Sequence, residues 1–485
     1  MSEAKLCIRN PYSEKLLAEL PYWEKSQLDS AVLKAQTKFR HWRKAPASER
    51  AEVLTQVATL LEQQKEDFAR LICDEAGKPI QQARGEVARG ISVLQWAAAE
   101  TQRFSGELLR LDLGSAGRSG FGIHTRFPSG VVLGITPFNF PLNLVLHKIA
   151  PAIACGCTIL IKPSPFTPLT ALKIAGLFEG ISPGLVQVVL PNDNDTAELT
   201  RAPEIAHISF TGSSKIGWQI REQAPKKKTT LELGGNAWVI VNEDTPPELF
   251  SKIAKRISVA AFGYAGQSCI SVQNVAVAES IWSEFKNHLV QATEDTAYGD
   301  PTLPNVVSGP VINEKAGDRI RDQLKKIPEN AELILSENHQ RSTAAGTSHG
   351  VAHATAGTKI IIPSLIILNG SSKATVKSDL VQQEIFAPVM TARKFNRLPE
   401  LIEQINSSHY GLQAGVYTQN LSQIEELYRD LEVGGLIVND VPTTRYDHQP
   451  YGGVKESGQG REGIRYAMED MTESKFLALS SQVLG

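Results

Sequence analysis

At 485 residues the chain is longer than one ordinary hydrophobic core organises, so two or three domains are expected. Hydrophobic residues at 42% and charged residues at 21% exclude a disordered chain, and 50 Lys+Arg against 52 Asp+Glu leave no basic excess for nucleic acid or an anionic membrane. The polar start Met1–Asn10 has no apolar run behind it, and no run is long enough to span a bilayer, so a cytoplasmic protein without a membrane partner is expected.

In chain order, Ser26 to Arg40, Ser48 to Glu75 and Ile80 to Gly106 carry apolar residues at helical spacing and predict three helices, with Ser48 as the N-cap of the second. Arg110 to Arg126 reads as an irregular or hairpin excursion. From Gly130 short β-rich runs (Val131–Ile135, Thr158–Ile161, Val186–Leu190, His207–Phe210) alternate with helical stretches (Leu142–Ala154, Pro168–Phe178, Asp195–Arg201). That alternation predicts βαβ units and a parallel sheet, with ligand groups at the carboxyl ends of its strands.

A second α/β block runs from Trp238 to Asn439, with strands at Trp238–Val241, Val275–Val277 and Leu436–Val438. Within it Glu337 to Gly357 reads as a surface excursion, and His339, His349 and His353 lack a second ligand cluster, so no metal is expected there. The tail Thr472 to Leu484 predicts an edge strand suited, with Arg110 to Arg126, to subunit contacts.

The five cysteines (Cys7, Cys73, Cys155, Cys157, Cys269) are few and scattered, as reduced thiols are. Cys155-Gly156-Cys157 reads as core or helix-end packing. Cys269 ends Gly266-Gln267-Ser268-Cys269, downstream of Leu231-Glu232-Leu233-Gly234-Gly235. A thiolate nucleophile and a carboxylate that activates water together perform covalent catalysis.

Three polar groups follow predicted strands. Asn139 in Thr136-Pro137-Phe138-Asn139-Phe140-Pro141 offers an amide to an oxyanion. Lys162 in Ile161-Lys162-Pro163-Ser164 can reach a ribose or a phosphate, and Phe210-Thr211-Gly212-Ser213 precedes a helix whose N–H groups hold phosphate. Together they suggest a dinucleotide crevice.

These motifs, with Glu384-Ile385-Phe386-Ala387-Pro388-Val389 and Tyr451-Gly452-Gly453-Val454-Lys455, closely resemble the aldehyde dehydrogenase superfamily in content and order across residues 136 to 455. The resemblance implies an α/β fold with a Rossmann-type dinucleotide-binding domain, an α/β catalytic domain and a small β oligomerisation element. The expected division is 1–109 with 127–237 as NAD(P)-binding domain, 238–466 as catalytic domain, and 110–126 with 467–485 as oligomerisation segments. It implies catalytic roles for Cys269 (nucleophile), Glu232 (base for water) and Asn139 (oxyanion donor). Cofactor contacts are expected from Thr136, Pro137, Phe138, Lys162, Ser164, Gly212, Ser213, Leu233, Gly234, Glu384 and Phe386, to NAD or NADP without a metal. Pro165 stands where many NAD-preferring members carry a ribose-binding glutamate, which leaves NADP admissible.

Gly458-Gln459-Gly460-Arg461-Glu462-Gly463 fits G-x-G-x-x-G, yet no strand precedes it, so a structural loop is expected. Asn143 and His147 are spaced to share a helix face, and Arg445 falls where similar enzymes place a tunnel-mouth side chain. These three are the expected substrate residues, for a small polar or anionic aldehyde, with the alternatives that Arg445 pairs with Asp447 or another neighbour and that His147 only packs. The stretches around Asn143, His147 and Cys269 look most like the lactaldehyde dehydrogenase branch. The expected reaction is oxidation to the carboxylic acid through a thiohemiacetal and a thioester, in a homodimer or homotetramer. The rivals are a coenzyme-A-acylating dehydrogenase and a non-catalytic structural or binding module.

Overall fold

The computed structural model describes residues 5–113, 120–329, 331–340, 359–369 and 379–480. Strands β1 (Lys5–Arg9) and β2 (Leu16–Pro21) pair antiparallel and lead into helices α1 (Lys25–Trp42), α2 (Ala47–Gln63), α3 (Lys65–Ala76) and α4 (Ile80–Arg103). The single helix expected over 48–75 is two. Leu54, Val57 and Leu61 are buried on α2, and Phe68, Ile72 and Cys73 on α3, but Gln64 and Lys65 offer no apolar step between them. Gln64 leaves helical geometry there (φ −107°, ψ 18°). The α2 N-cap is Pro46, two residues before the expected Ser48.

The first large sheet contains β5 (Val131–Ile135), β6 (Thr158–Lys162), β7 (Val186–Val188), β8 (Ile205–Thr211) and β9 (Lys228–Glu232), in the order β7-β6-β5-β8-β9, all parallel. Helices α5 (Asn143–Cys155), α6 (Pro168–Ile181), α7 (Asp193–Arg201) and α8 (Ser214–Gln223) make the crossovers. After β5 the chain builds outward on one side as far as β7, then returns to the other side of β5 as β8. This reversal creates the crevice between strand carboxyl ends in which doubly wound sheets bind ligands. Every residue of α5 is buried, in keeping with its apolar sequence all round. Cys155 and Cys157 are buried free thiols beside its left-handed C-cap Gly156.

The second large sheet holds seven strands around β10 (Ala237–Val241) and β11 (Val272–Ala278). Six are parallel, and Glu332–Leu335 adds antiparallel at the edge beside Ser364–Ile367. Helix α9 (Phe250–Phe262) packs on this sheet and delivers the chain to the Cys269 loop.

A third sheet joins β3 (Glu107–Arg110), β4 (Gly120–Pro128) and the tail strand Thr472–Ser480, all antiparallel. The expected hairpin and tail strand therefore meet each other. Residues 114–119, 341–357 (with His349 and His353) and 481–484 of the expected excursions lie outside the described residues. His339 stacks on Tyr298 at 4.8 Å. Among the described residues no helix is long and apolar enough to cross a membrane.

Candidate active site

Cys269, Glu232 and Asn139 line one cavity of about 620 Å³, at the carboxyl ends of β5, β8 and β9. The chain reaches Cys269 through three consecutive left-handed residues, Tyr264 (φ 50°), Ala265 (φ 54°) and Gly266 (φ 65°). Gly266 is required for space as well, because a Cβ there would stand 1.9 Å from the Ala387 carbonyl oxygen. Gln267, fully buried, accepts from Ile312 N (2.9 Å) and donates to the Tyr264 and Pro310 carbonyls, which fixes the loop. Tyr264 Oη donates to the Ala76 carbonyl at 2.9 Å and so ties the loop to α3.

Asn139 Nδ2 donates to the Gln267 carbonyl at 2.9 Å. One hydrogen of that amide is thereby committed to orientation and the other is left for an oxyanion. Cys269 is half-buried, with Sγ 3.4 Å from Tyr451 Oη. Burial pushes its thiol up to about 12, and the hydrogen bond with Tyr451 pulls it back down in part.

Glu232 ends β9, is buried, and has no hydrogen-bond partner on either carboxyl oxygen among the described residues. Burial holds its carboxyl well above the usual carboxylate range. Repulsion from Glu462 adds to the rise, and Arg445 and Lys148 oppose it. A protonatable carboxyl aimed into a cavity and bonded to nothing is poised to hold water.

Glu462 anchors a buried network behind Glu232. Lys148 Nζ, on α5, donates to Glu462 Oε1 (2.8 Å), Thr211 Oγ1 (2.7 Å) and Ser209 Oγ (3.1 Å). Arg445 donates to Glu462 Oε2 (3.1 Å) and lies 3.7 Å over the Tyr451 ring. These two cations hold the Glu462 carboxyl below its usual range despite burial. Glu462 sits inside the G-x-G-x-x-G stretch. Gly458 and Gln459 there pair antiparallel with Glu232 and Leu231, so the segment braces β9 and is not a phosphate turn.

Of the expected cofactor residues, Pro137, Phe138, Gly212 and Ser213 line the cavity, as do Leu233, Gly234, Glu384 and Phe386. Glu384 Oε1 accepts from Gly235 N at 3.0 Å, and burial raises its carboxyl to about 7. Phe386 (φ 53°) meets Phe138 edge-on at 6.1 Å. Thr136, Lys162 and Ser164 do not line the cavity. Thr136 and Lys162 are joined by the Thr136 N to Lys162 carbonyl bond (3.1 Å), and Ser164 Oγ accepts from Phe166 N at 3.3 Å. Burial lowers the Lys162 ammonium, with Asp193 opposing.

Of the three expected substrate residues, two line the cavity and one does not. Asn143 lines the cavity, and its Oδ1 has no hydrogen-bond partner among the described residues. His147 does not line it: it is fully buried, with Nε2 3.1 Å from Asp447 Oδ1. The helix turn that exposes Asn143 to the cavity carries His147 beneath the wall. Arg445 lines the cavity but is buried, its side chain 6% exposed, and the neighbour it pairs with is Glu462, not Asp447. Asp447 instead holds His147 and Arg89, the latter at 2.7 Å.

Sequence reasoning gave no role to Lys148, Glu462, Arg89 or the Tyr451 hydroxyl. Only Glu462 carried a signal, as the carboxylate inside an unexplained glycine-rich stretch.

The aldehyde dehydrogenase family model matches residues 1–477. A 3-sulfolactaldehyde dehydrogenase of Priestia megaterium is 36% identical over 98% of this chain and 95% of its own length. A lactaldehyde dehydrogenase of Methanococcus maripaludis is 32% identical over 97% and 96%. In structure, aldehyde dehydrogenase 21 of Physcomitrella patens, crystallised with the reaction product succinate, superposes with a TM-score of 0.91 at 34% identity, over 100% of this chain and 96% of that one. With the Cys269 thiol, the Glu232 carboxyl and the Asn139 amide in one cavity at the strand ends, the chain belongs to the aldehyde dehydrogenase family.

Proposed function

We propose that the protein oxidises a short anionic aldehyde to its carboxylic acid with NAD+ or NADP+, releasing the acid by hydrolysis. The observation that carries this reading is Glu232, buried beside Cys269 and Asn139 with both carboxyl oxygens unpartnered among the described residues.

The residues present fit a dinucleotide. Ser213, the N-cap of α8, makes no side-chain cap bond, which leaves first-turn N–H groups for a pyrophosphate. Gly234 opens the space beside Glu384, where a Cβ would stand 2.7 Å from Oε2, and Glu384 can accept from ribose hydroxyls. Lys162, with Ser164 two residues on, would hold the adenosine ribose beyond the cavity, with Pro137, Phe138, Gly212, Leu233 and Phe386 walling the cavity itself. When bound, the nicotinamide supplies the hydride acceptor that takes a thiohemiacetal to a thioester.

The protein's own residues do the rest. Cys269 Sγ adds to the carbonyl carbon, and the free Asn139 Nδ2 hydrogen stabilises the oxygen that becomes negative. Glu232 then takes a proton from water, which attacks the thioester, expels the Cys269 thiolate and leaves the acid. A coenzyme-A-acylating enzyme has no use for such a base, which favours hydrolysis.

Arg89, Arg256, Arg319 and Arg445 line the cavity, and the Nε atoms of Arg89 and Arg445 are buried without hydrogen-bond partners among the described residues. They support an anionic group on the substrate, in line with the sulfonated and succinate-forming relatives, and Asn143 offers a further polar contact. The test compares sulfoacetaldehyde with uncharged propionaldehyde by nicotinamide absorbance. Arg445→Ala also loosens Tyr451 and Glu462 and so slows both substrates, but it is expected to lower kcat/KM for the anion about 10- to 100-fold more than for the neutral aldehyde, the worth of a hydrogen bond to a charged group. Equal losses on both would refute anion recognition by Arg445. A strict requirement for coenzyme A would refute hydrolysis.

A further inference from the structure

We propose that Tyr451 is a catalytic residue whose hydroxyl donates a hydrogen bond to the Cys269 thiolate and so sets how readily the nucleophile ionises. The proposal rests on the reading of Cys269 as the nucleophile.

Tyr451 is 3% exposed, and its Oη lies 3.4 Å from Cys269 Sγ, the one side-chain hydrogen bond the sulfur has among the described residues. The ring is held from several sides. Tyr451 and Glu462 exchange both backbone hydrogen bonds, N to O at 2.9 Å and 2.7 Å. The Arg445 guanidinium covers the ring at 3.7 Å while bonded to the same Glu462, and Ile270 and Leu412 pack with it in a small apolar cluster. A tyrosine so clamped presents its hydroxyl to the sulfur at no further entropic cost.

The charged groups that face Cys269 mostly oppose its ionisation. Burial and the carboxyls of Glu384 and Glu232 disfavour the thiolate; Arg445 and the Tyr451 hydroxyl favour it. Tyr451 is itself raised well above its ordinary range by burial, with the Cys269 and Glu232 charges adding and Arg445 opposing. It therefore keeps its proton and remains a donor.

The chemistry uses that donor twice. When the thiol ionises, its proton passes to water and the tyrosine O–H stabilises the sulfur anion left behind. When hydrolysis breaks the carbon–sulfur bond, the electron pair returns to sulfur and the same O–H receives it. A thiol that ionises well above ambient pH gains more in thiolate fraction from such a bond than it loses in nucleophilicity.

The decisive readout, alkylation, needs neither cofactor nor aldehyde. Iodoacetamide alkylation of Cys269 is followed by peptide mass spectrometry across pH in the full-length wild type and in Tyr451→Phe, which keeps the ring and loses only the hydroxyl. The exposed thiol Cys7 serves as internal reference. Near neutral pH the variant is expected to alkylate Cys269 on the order of 10-fold more slowly, the gap closing as pH rises, with Cys7 unchanged. The acid limb of kcat/KM is expected to move upward in parallel. Incorporation of 3-fluorotyrosine at 451, a stronger donor of nearly the same shape, should shift the alkylation profile the other way. An unchanged profile, or a slowing equal at every pH, overturns the proposal. The dehydrogenase reading is judged apart, by whether the wild type reduces nicotinamide at all.

Discussion

A Cβ on Gly235 would stand 2.2 Å from the Cys269 carbonyl oxygen, so the backbone that leaves β9 after Glu232 touches the backbone of the nucleophile directly. The segments that carry Glu232 and Cys269, the proposed base and nucleophile, thus meet main chain to main chain. Gly235 N also fixes Glu384 at 3.0 Å. Gly235→Ala must displace one of these segments, and a misplacement of about 1 Å costs on the order of 100-fold in rate. The variant is expected to stay folded by circular dichroism and to lose about that factor in kcat. A kcat within twofold of the wild type would show that the contact is not needed for alignment.

Glu232→Gln separates the two halves of the reaction. The amide cannot accept a proton from water, so acylation of Cys269 proceeds and hydrolysis slows by about 100- to 10,000-fold. A pre-steady-state burst of nicotinamide reduction, with acylated Cys269 trapped by acid quench, is the expected result. In the wild type the carboxylate is the active form, and its ionisation is held to high pH by burial and Glu462. Deacylation should therefore fall off with acid at a higher pH than an ordinary glutamate gives, and the variant should lack that limb. Unchanged steady turnover would remove Glu232 from its assigned role.

How much of this was legible in the sequence depended on how local each feature is. The strands ending at Ile135, Lys162 and Thr211 announce themselves as short apolar runs followed by polar and glycine residues, so their strand-end groups could be placed, whereas β9, Lys228-Thr229-Thr230-Leu231-Glu232, carries a single apolar residue and gives no such signal. Strand Gln413–Tyr417 could not, since a fully buried parallel strand with Ala and Gly in it shows no alternation. The network around Glu462 joins residues more than 300 positions apart, Lys148 to Glu462 among them, and no local pattern records that pairing. Arg445 illustrates the division. Its charge near the site was readable, but its depth follows from the Tyr451–Glu462 backbone pair, which only the fold supplies.

His147 makes a prediction about stability. Burial holds its imidazole down at about 4, the Arg445 charge adds to this, and Asp447 opposes it. The unfolded chain titrates near 6.5, so between these values the unfolded state binds a proton that the folded state refuses. Stability should therefore fall as pH drops from about 6.5 toward 4, by about 2 kcal/mol at pH 5 from this group. His147→Gln keeps a polar partner for Asp447 and cannot take the proton. His207, also buried and held to about 3, remains in both proteins and cancels in the comparison. Urea midpoints near pH 7 and pH 5 should lie closer together in His147→Gln than in the wild type. An equal spacing would show that His147 does not drive the acid sensitivity.

The three-stranded sheet makes the last prediction. Leu108, Ile123 and Leu477 are aligned across its strands, and two residues along each strand the row Arg110, Phe121 and Leu479 follows. Side chains two apart share a face of a sheet, so these rows form one surface. On it Leu108 is 74% exposed and Leu477 52%, with Phe121 and Leu479 also exposed. Exposed apolar side chains gathered on one face, with Arg110 at its edge, are what an association surface would present, and closed pairing of identical faces is its simplest cover. A second copy of this chain is the proposed occupant. Leu108→Lys with Leu477→Lys places charge on that face while leaving the cross-strand backbone bonds and the cavity untouched. Light scattering after size exclusion should show the wild type as a dimer or tetramer and the double variant at lower mass, with the Cys269 site still alkylated by iodoacetamide. A wild type that runs as a monomer, or a variant of unchanged mass, would remove this face from the subunit contact.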